Sequence, residues 1–292
     1  MRRITANVYV EDRFSVYPQF RGGNPSFLTT SEGVVMIDTP MLPTDAVKWR
    51  DKIAKQGEVN FIINTHHHLD HTGGNYFFPG TVVSHEKVKE VFTLPITRAI
   101  NSEEGETAKV VTLGVVENYR LRVKELDPKG VPLVEHYELR EPTVTFSQRL
   151  SLYVGSHTIE VFHSPGHTLG HVSVYIPQER TFFAGDNFTN GVQPSLAQCS
   201  PLDWVESLKK IEFMNVDVVV PGHGEVCSKR EVREFLSFIQ KCIDIVNDAI
   251  GRGMSKEEAG SRLSFEELYP PIHSGSWYQR MNVLRLYEML SR

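Results

Sequence analysis

Thr65-His66-His67-His68-Leu69-Asp70-His71-Thr72-Gly73-Gly74 is the stretch on which the reading of this chain turns. Four of its residues, His66, His68, Asp70 and His71, carry side chains that ligate metals. The apolar run Phe61-Ile62-Ile63 before it reads as a buried strand, and Gly73-Gly74 after it allows a sharp turn. In an extended segment alternate side chains share a face, so His66, His68 and Asp70 point one way and His67 the other. His71 breaks that alternation and reaches a second, nearby point only if the chain turns there. One short segment can therefore serve two neighbouring metals. A single histidine in a polar loop would call for no such explanation. Four ligand-type residues in six positions after a buried strand do. Imidazole nitrogen and carboxylate oxygen suit zinc, and also iron or manganese.

The same arrangement recurs downstream. Ser164-Pro165-Gly166-His167-Thr168 follows the apolar run Ile159-Glu160-Val161-Phe162, Ala184-Gly185-Asp186 follows Thr181-Phe182-Phe183, and Pro221-Gly222-His223-Gly224 follows Val218-Val219-Val220. At each of these expected strand ends, small residues or proline turn the chain and one ligand-type residue appears.

With these residues in view, His66-x-His68-x-Asp70-His71 followed by His167, Asp186 and His223 resembles the full motif set of the metallo-β-lactamase-fold hydrolases. The likeness runs from about Asp38 to His223. The acid at Asp186 resembles the glyoxalase II and lactonase branch, and the zinc β-lactamases with a cysteine ligand at that place do not match. The resemblance implies that His66, His68 and His167 hold one metal, that Asp70, His71 and His223 hold the other, and that Asp186 bridges them. It also implies an acid at Asp38 beneath the site, supporting the ligands through hydrogen bonds; a turn residue is the other reading of Asp38. The expected cofactors are two divalent ions, zinc first, with iron or manganese as alternatives. Two such ions about 3.5–4 Å apart share one water and lower its pKa to around 7. The expected chemistry is then attack by a metal-bridging hydroxide on the carbonyl of an ester, lactone, thioester or amide in a small molecule, with Asp70 orienting the nucleophile or passing a proton to the leaving group. The rivals are an iron-dependent oxidoreductase of the sulfur dioxygenase kind on the same fold and a non-catalytic, metal-stabilised binding protein. Seven ligands without a visible loss favour hydrolysis.

Composition bounds the rest. The 292 residues are enough for one large domain, and 40% apolar with 23% charged residues describe an ordinary globular protein. A net charge of -5 provides no global basic field for nucleic acid, and none is expected as a partner. Cys199, Cys227 and Cys242 are few, odd in number and widely spaced, which suits a reducing compartment. No stretch approaches the ~20 apolar residues of a membrane span, and Asn7, Glu11 and Asp12 interrupt the N-terminus too early for a signal peptide. The expectation is a cytoplasmic protein with no membrane contact.

Along the chain, strands are expected at 8–10, 26–30, 34–37 and 81–83, a helix at 43–56, paired strands at 143–154 and 158–162 and at 172–176 and 181–183, and helices at 202–214 and 228–250. Together they indicate an α/β (α+β) fold, a four-layer αββα sandwich whose two sheets are buried between helices; the fold name rests on the resemblance. The chain reads as a single domain over 1–292. Residues 95–142 form an insertion, expected to fold as a cap over the active site, since long connections of this kind are commonly lids. Residues 252–292 form a C-terminal helical tail, with a helix over 281–290. The aromatic stretch from Tyr269 to Tyr278 either lines a pocket, with His273 and Tyr278 as substrate contacts, or packs on a partner subunit in a homodimer.

Overall fold

The computed structural model describes residues 1–292 except 15–19, 93, 95, 101–108 and 270–275. Of the expected site residues only His273 lies outside the described ones. In chain order the strands are β1 (Arg2–Arg3), β2 (Val8–Val10), β3 (Ser26–Thr30), β4 (Gly33–Ile37), β5 (Val59–Ile63), β6 (Thr81–His85), β7 (Ile96–Ile100), β8 (Lys109–Leu113), β9 (Val144–Phe146), β10 (Arg149–Val154), β11 (His157–His163), β12 (Val172–Ile176), β13 (Thr181–Thr189) and β14 (Val218–His223). The helices are α1 (Pro43–Ile53), α2 (Leu69–Thr72), α3 (Glu86–Phe92), α4 (Val115–Leu126), α5 (Pro201–Glu212), α6 (Lys229–Gly251), α7 (Lys256–Arg262) and α8 (Ser276–Leu290). One sheet has the order β1-β2-β3-β4-β5-β6-β9, a second the order β10-β11-β12-β13-β14, and β7-β8 form a separate ribbon.

Adjacent residues in a strand face opposite sides, and the sequence uses this to fill three apolar layers. Val35, Ile37, Ile63 and Val83 of the first sheet meet Val161, Val174, Phe183 and Val220 of the second in the space between the sheets. Their neighbours Val34, Met36, Ile62 and Val82 face outward onto Ala46, Trp49 and Ile53 of α1 and Tyr119 and Val123 of α4. On the far side, Phe182 and Val219 face Trp204 and Leu208 of α5, Phe235 and Ile239 of α6, and Val283 and Leu286 of α8. This is the expected four-layer sandwich. Strand β5 runs parallel to both β4 and β6, and β13 parallel to β14. Parallel strands covered on both faces read as unbroken apolar runs, which is why Phe61-Ile62-Ile63 and Val218-Val219-Val220 were legible as strands.

Two expectations need correction. Residues 143–154 are not one strand: β9 pairs with β6 in the first sheet and β10 with β11 in the second, so the chain changes sheets at Ser147-Gln148. Alternation along 144–154 continues through that crossing, so periodicity could not reveal it. Asp186 does not follow a strand; β13 continues past it to Thr189, with register shifts against β14 on either side of Gly185. The described part of 95–142 from Val115 onward packs beside α1, with Tyr119 donating a 2.7 Å hydrogen bond to the Met41 carbonyl and stacking on Tyr137 at 4.2 Å. None of these described side chains lines the cavity at the ligand cluster; the rest of the expected cap falls partly on 101–108, outside the described residues. Helix α8 docks on the core of its own chain through Val283 and Leu286. Among the described residues no helix is long and apolar enough to cross a membrane.

Candidate metal centre

The first ligand stretch begins where β5 ends. His66 lies in the bend that follows β5, and the chain enters the short helix α2 at Leu69, with His68 as the residue before it and the His71 amide donating back to the His68 carbonyl at 3.0 Å. This is the turn that His71 required. It swings Asp70 and His71 to a second point beside that of His66 and His68. His167 arrives from the loop between β11 and β12, Asp186 from the middle of β13, and His223 from the last position of β14.

All seven expected ligands converge, in two groups. His66, His68, His167 and Asp186 form one, and Asp70, His71 and His223 the other, with the donor atoms of each group within 4.8 Å of one another. In the first, His167 Nε2 lies 3.1 Å from His68 Nδ1, and Asp186 Oδ2 lies 3.7 Å from His66 Nε2 and 3.5 Å from His167 Nε2. In the second, His71 Nε2 lies 3.4 Å from His223 Nε2, and Asp70 Oδ2 lies 3.3 Å from His223 Nε2. The other oxygen of Asp186, Oδ1, faces this second group, 3.1 Å from His71 Nε2 and 3.3 Å from His223 Nε2. Donors about 2.1 Å from a tetrahedral ion lie about 3.4 Å apart, so the spacings in both groups fit a small divalent ion. His66 Nε2 is buried with no hydrogen-bond partner among the described residues, a costly state for a polar atom unless something outside the chain meets it.

The protonation of the cluster tells the same story. Burial holds the His66 imidazole well below its ordinary pKa, with His71 adding repulsion, and burial pushes His167 down to about 3. Burial also opposes charge on His71 and His223, but the carboxylates together outweigh it, Asp186 with Asp38 and Asp70 at His71 and Asp186 with Asp70 at His223, which rises to about 9. Burial works against the Asp186 carboxylate, yet His223, His71 and His66 hold it well below the usual range. The carboxylates thus demand positive charge at this place, and protons on two histidines meet that demand where no metal does.

Which ring nitrogens face the cluster is set by what the other ring nitrogens touch. His71 Nδ1 donates to Asp38 Oδ2 at 2.8 Å, which leaves Nε2 as the nitrogen that faces the cluster. Thr65 Oγ1 donates to the same Asp38 oxygen at 2.7 Å and receives His66 Nδ1 at 3.1 Å, so Asp38 orients two of the histidines. Its second oxygen accepts the Thr65 amide at 2.7 Å. Asp38 is therefore the supporting acid beneath the ligands that the resemblance implied. His167 Nδ1 donates to the Ser195 carbonyl and His68 Nε2 to Gln198 Oε1, both at 3.0 Å. Asn187 Oδ1 holds the His167 amide at 2.8 Å, and the Asn187 carbonyl receives the Trp204 indole at 2.8 Å. His85 and His163 stack at 3.9 Å and each bonds a backbone carbonyl, as expected of structural histidines. Cys227 does not approach the site: it pairs with Val219 across a β-bridge, and burial pushes its thiol up to about 12.

Gly222 is required by the carboxylate beside it. A Cβ there would overlap Asp186 Oδ1 and crowd the Gly185 and Asp186 backbone. Gly222→Ala is therefore expected to turn the Asp186 carboxylate away and weaken metal binding about 10- to 100-fold, the scale seen when a ligand loses its orientation. Metal content after dialysis checks this; unchanged content would contradict it.

A cavity of about 240 Å³ opens on the cluster. His68, Asp70, His167, Asp186 and His223 form its floor, and Phe20, Pro194, Ser195, Trp277 and Tyr278 its walls. Phe20 stacks on His223 at 5.7 Å. Tyr278, expected as a substrate contact, lines the cavity, and burial raises its phenol pKa so that the hydroxyl keeps its proton. Phe20, Ser195 and Gln198 escaped the sequence reading, because none stands in a pattern that marks it.

The family model described as the metallo-beta-lactamase superfamily matches residues 18–223. The chain is 25% identical over 271 residues to a linear primary-alkylsulfatase of Pseudomonas sp. (strain ATCC 19151), covering 84% of the chain and 49% of that protein, so it spans about half the relative's length. It is 24% identical over 253 residues to the metallo-beta-lactamase type 2 of Elizabethkingia meningoseptica, covering 82% of the chain and 85% of the relative. A solved metallo-beta-lactamase family protein from Thermus thermophilus shares the fold with a TM-score of 0.64 at 20% identity, covering 97% of this chain and 93% of that one.

Proposed function

The chain belongs to the metallo-beta-lactamase superfamily, and from that premise we propose that it is a dinuclear metal-dependent hydrolase acting on a carbonyl group of a small molecule. The observation that carries the reading is the placement of Asp186, one carboxylate oxygen toward each donor group. His66, His68 and His167 would hold one ion, Asp70, His71 and His223 the other, and Asp186 would touch both. Divalent ions so held supply a water of lowered pKa and a Lewis acid, which removes any need for a serine or cysteine nucleophile.

The remaining work falls to the chain's own side chains. Asp70 reaches the cavity with its carboxylate ionised, its pKa opposed by burial but lowered more strongly by His71 and His223, so it can accept a hydrogen bond from the attacking water and orient it. Tyr278 keeps its proton and can donate a hydrogen bond to a substrate oxygen. Phe20 and Trp277 offer apolar walls to the group beyond the scissile bond. Imidazole and carboxylate donors without thiolate suit zinc, manganese or iron, and zinc is the first choice.

The test is metal content of protein purified without added metal, read beside hydrolysis of a panel of lactones, thioesters, β-lactams and alkyl sulfates. About two ions per chain with carbonyl hydrolysis supports the reading and names the bond. Turnover of the alkyl sulfates alone would keep the metal centre and overturn the carbonyl substrate. A single iron with oxygen uptake and no hydrolysis would overturn both.

A further inference from the structure

Residues 193–199 carry two of the contacts that fix the metal-ligating nitrogens, the Ser195 carbonyl at His167 Nδ1 and Gln198 Oε1 at His68 Nε2. Both histidines belong to the same donor group. The segment between β13 and α5 that holds these contacts is neither helix nor extended strand. Such a segment takes its position from the groups that satisfy its backbone. Two such groups, and a side-chain contact beside them, come from α8, each 86 positions further along the chain than its partner. Asn282 Oδ1 accepts the Leu196 amide at 2.8 Å, Gln279 Nε2 donates to Gln193 Oε1 at 2.9 Å, and Arg285 Nε donates to the Cys199 carbonyl at 3.0 Å.

The three residues are spaced by three, so they form one polar stripe along the helix. The adjacent stripe, Val283 and Leu286, is anchored in the core beneath the second sheet. Asn282 and Gln193 are fully buried, and Gln279 is 3% exposed. Gln279 Oε1 is itself held by the Phe265 amide at 3.0 Å. Buried polar groups arranged in this way are rigid when satisfied and costly to break.

We propose that α8 is a positioning element for one of the two metal sites: Gln279, Asn282 and Arg285 hold residues 193–199, and through Ser195 and Gln198 they hold His68 and His167 in the ring orientation that ligates. Two members of the other donor group are held from elsewhere. His71 is oriented by Asp38, and Asp70 and His71 are carried by α2. The stripe therefore acts on one ion and spares the other. This inference rests on the reading of the cluster as a metal centre, and its test is a binding measurement that needs no turnover.

Zinc is titrated into metal-free protein in competition with a chromophoric chelator, for the wild type and four variants. His68→Ala identifies which binding step belongs to the His66, His68 and His167 group. Asn282→Leu removes the acceptor at constant bulk and is expected to weaken that same step about 10- to 100-fold, the range for lost support of a ligand, leaving the other step within about 3-fold. Asn282→Asp keeps an acceptor for the Leu196 amide and is expected to restore most of the affinity. Val283→Ala loosens α8 in the core but removes none of its hydrogen bonds to 193–199, and is expected to lower the melting temperature while sparing both steps. Equal weakening of both steps in Asn282→Leu, or the same selective loss in Val283→Ala, would make α8 a fold stabiliser and overturn the proposal. Unchanged affinities in Asn282→Leu would overturn it too. A wild-type protein that binds no zinc would instead overturn the metal reading, and the positioning role with it.

Discussion

Asp186→Ala is expected to leave a folded protein that retains fewer than two ions and turns over at least about 10²-fold more slowly, the scale of losing one preorganised electrostatic contact. The expectation follows from where the two oxygens point. Oδ2 faces His66 and His167 and Oδ1 faces His71 and His223, so a single truncation strips one donor from each group. It also removes the strongest of the attractions that oppose burial at His71 and His223. Both histidines then lose protons more readily, and the attraction for a cation falls with them. Circular dichroism, metal content and turnover are measured together. A native spectrum with two ions and full activity would show that Asp186 is not shared.

Asp38→Asn is expected to weaken metal binding about 10- to 100-fold with little change in the fold. Asp38 sits at φ 56, a left-handed conformation that Asn adopts readily and Ala does not, so Asn isolates the hydrogen-bond effect. With the side-chain oxygen kept on the Thr65 amide, the new NH2 group would face Thr65 Oγ1 and His71 Nδ1, where two donors now point at a carboxylate. His71 is then pressed to carry its proton on Nε2, the atom that faces the cluster, and a protonated nitrogen does not ligate. Chelator competition reads the loss directly. Affinities equal to those of the wild type would mean that the ring orientation does not depend on this carboxylate.

The ligands were legible because each sits near the end of an apolar run, where type and position can be read together. His66, His68, Asp70, His71, His167, Asp186 and His223 all reached the cluster. The sandwich was legible for a related reason: pairs such as Ile62 and Ile63, or Phe182 and Phe183, serve opposite faces of a sheet. What supports the site was harder to read. Ser195 acts through its carbonyl, which any residue possesses, and Gln198 through a side chain with no marked spacing to its partner. The crossing at Ser147-Gln148 was hidden because both sheets impose the same period of two. Asn282 reached Leu196 across a separation that no local pattern records.

That crossing has a consequence for how the protein comes together. A cut between Ser147 and Gln148 would divide the chain into one piece carrying all of the first sheet and another carrying all of the second. His66, His68, Asp70 and His71 stay with the first piece, and His167, Asp186 and His223 with the second. Each donor group draws on both, so neither piece holds a finished set. During synthesis the same arithmetic applies without any cut: the first half emerges with its ligands exposed and waiting. Tight retention of metal would thus certify that the two halves have found each other, and an ion held there would act as an inspector of assembly.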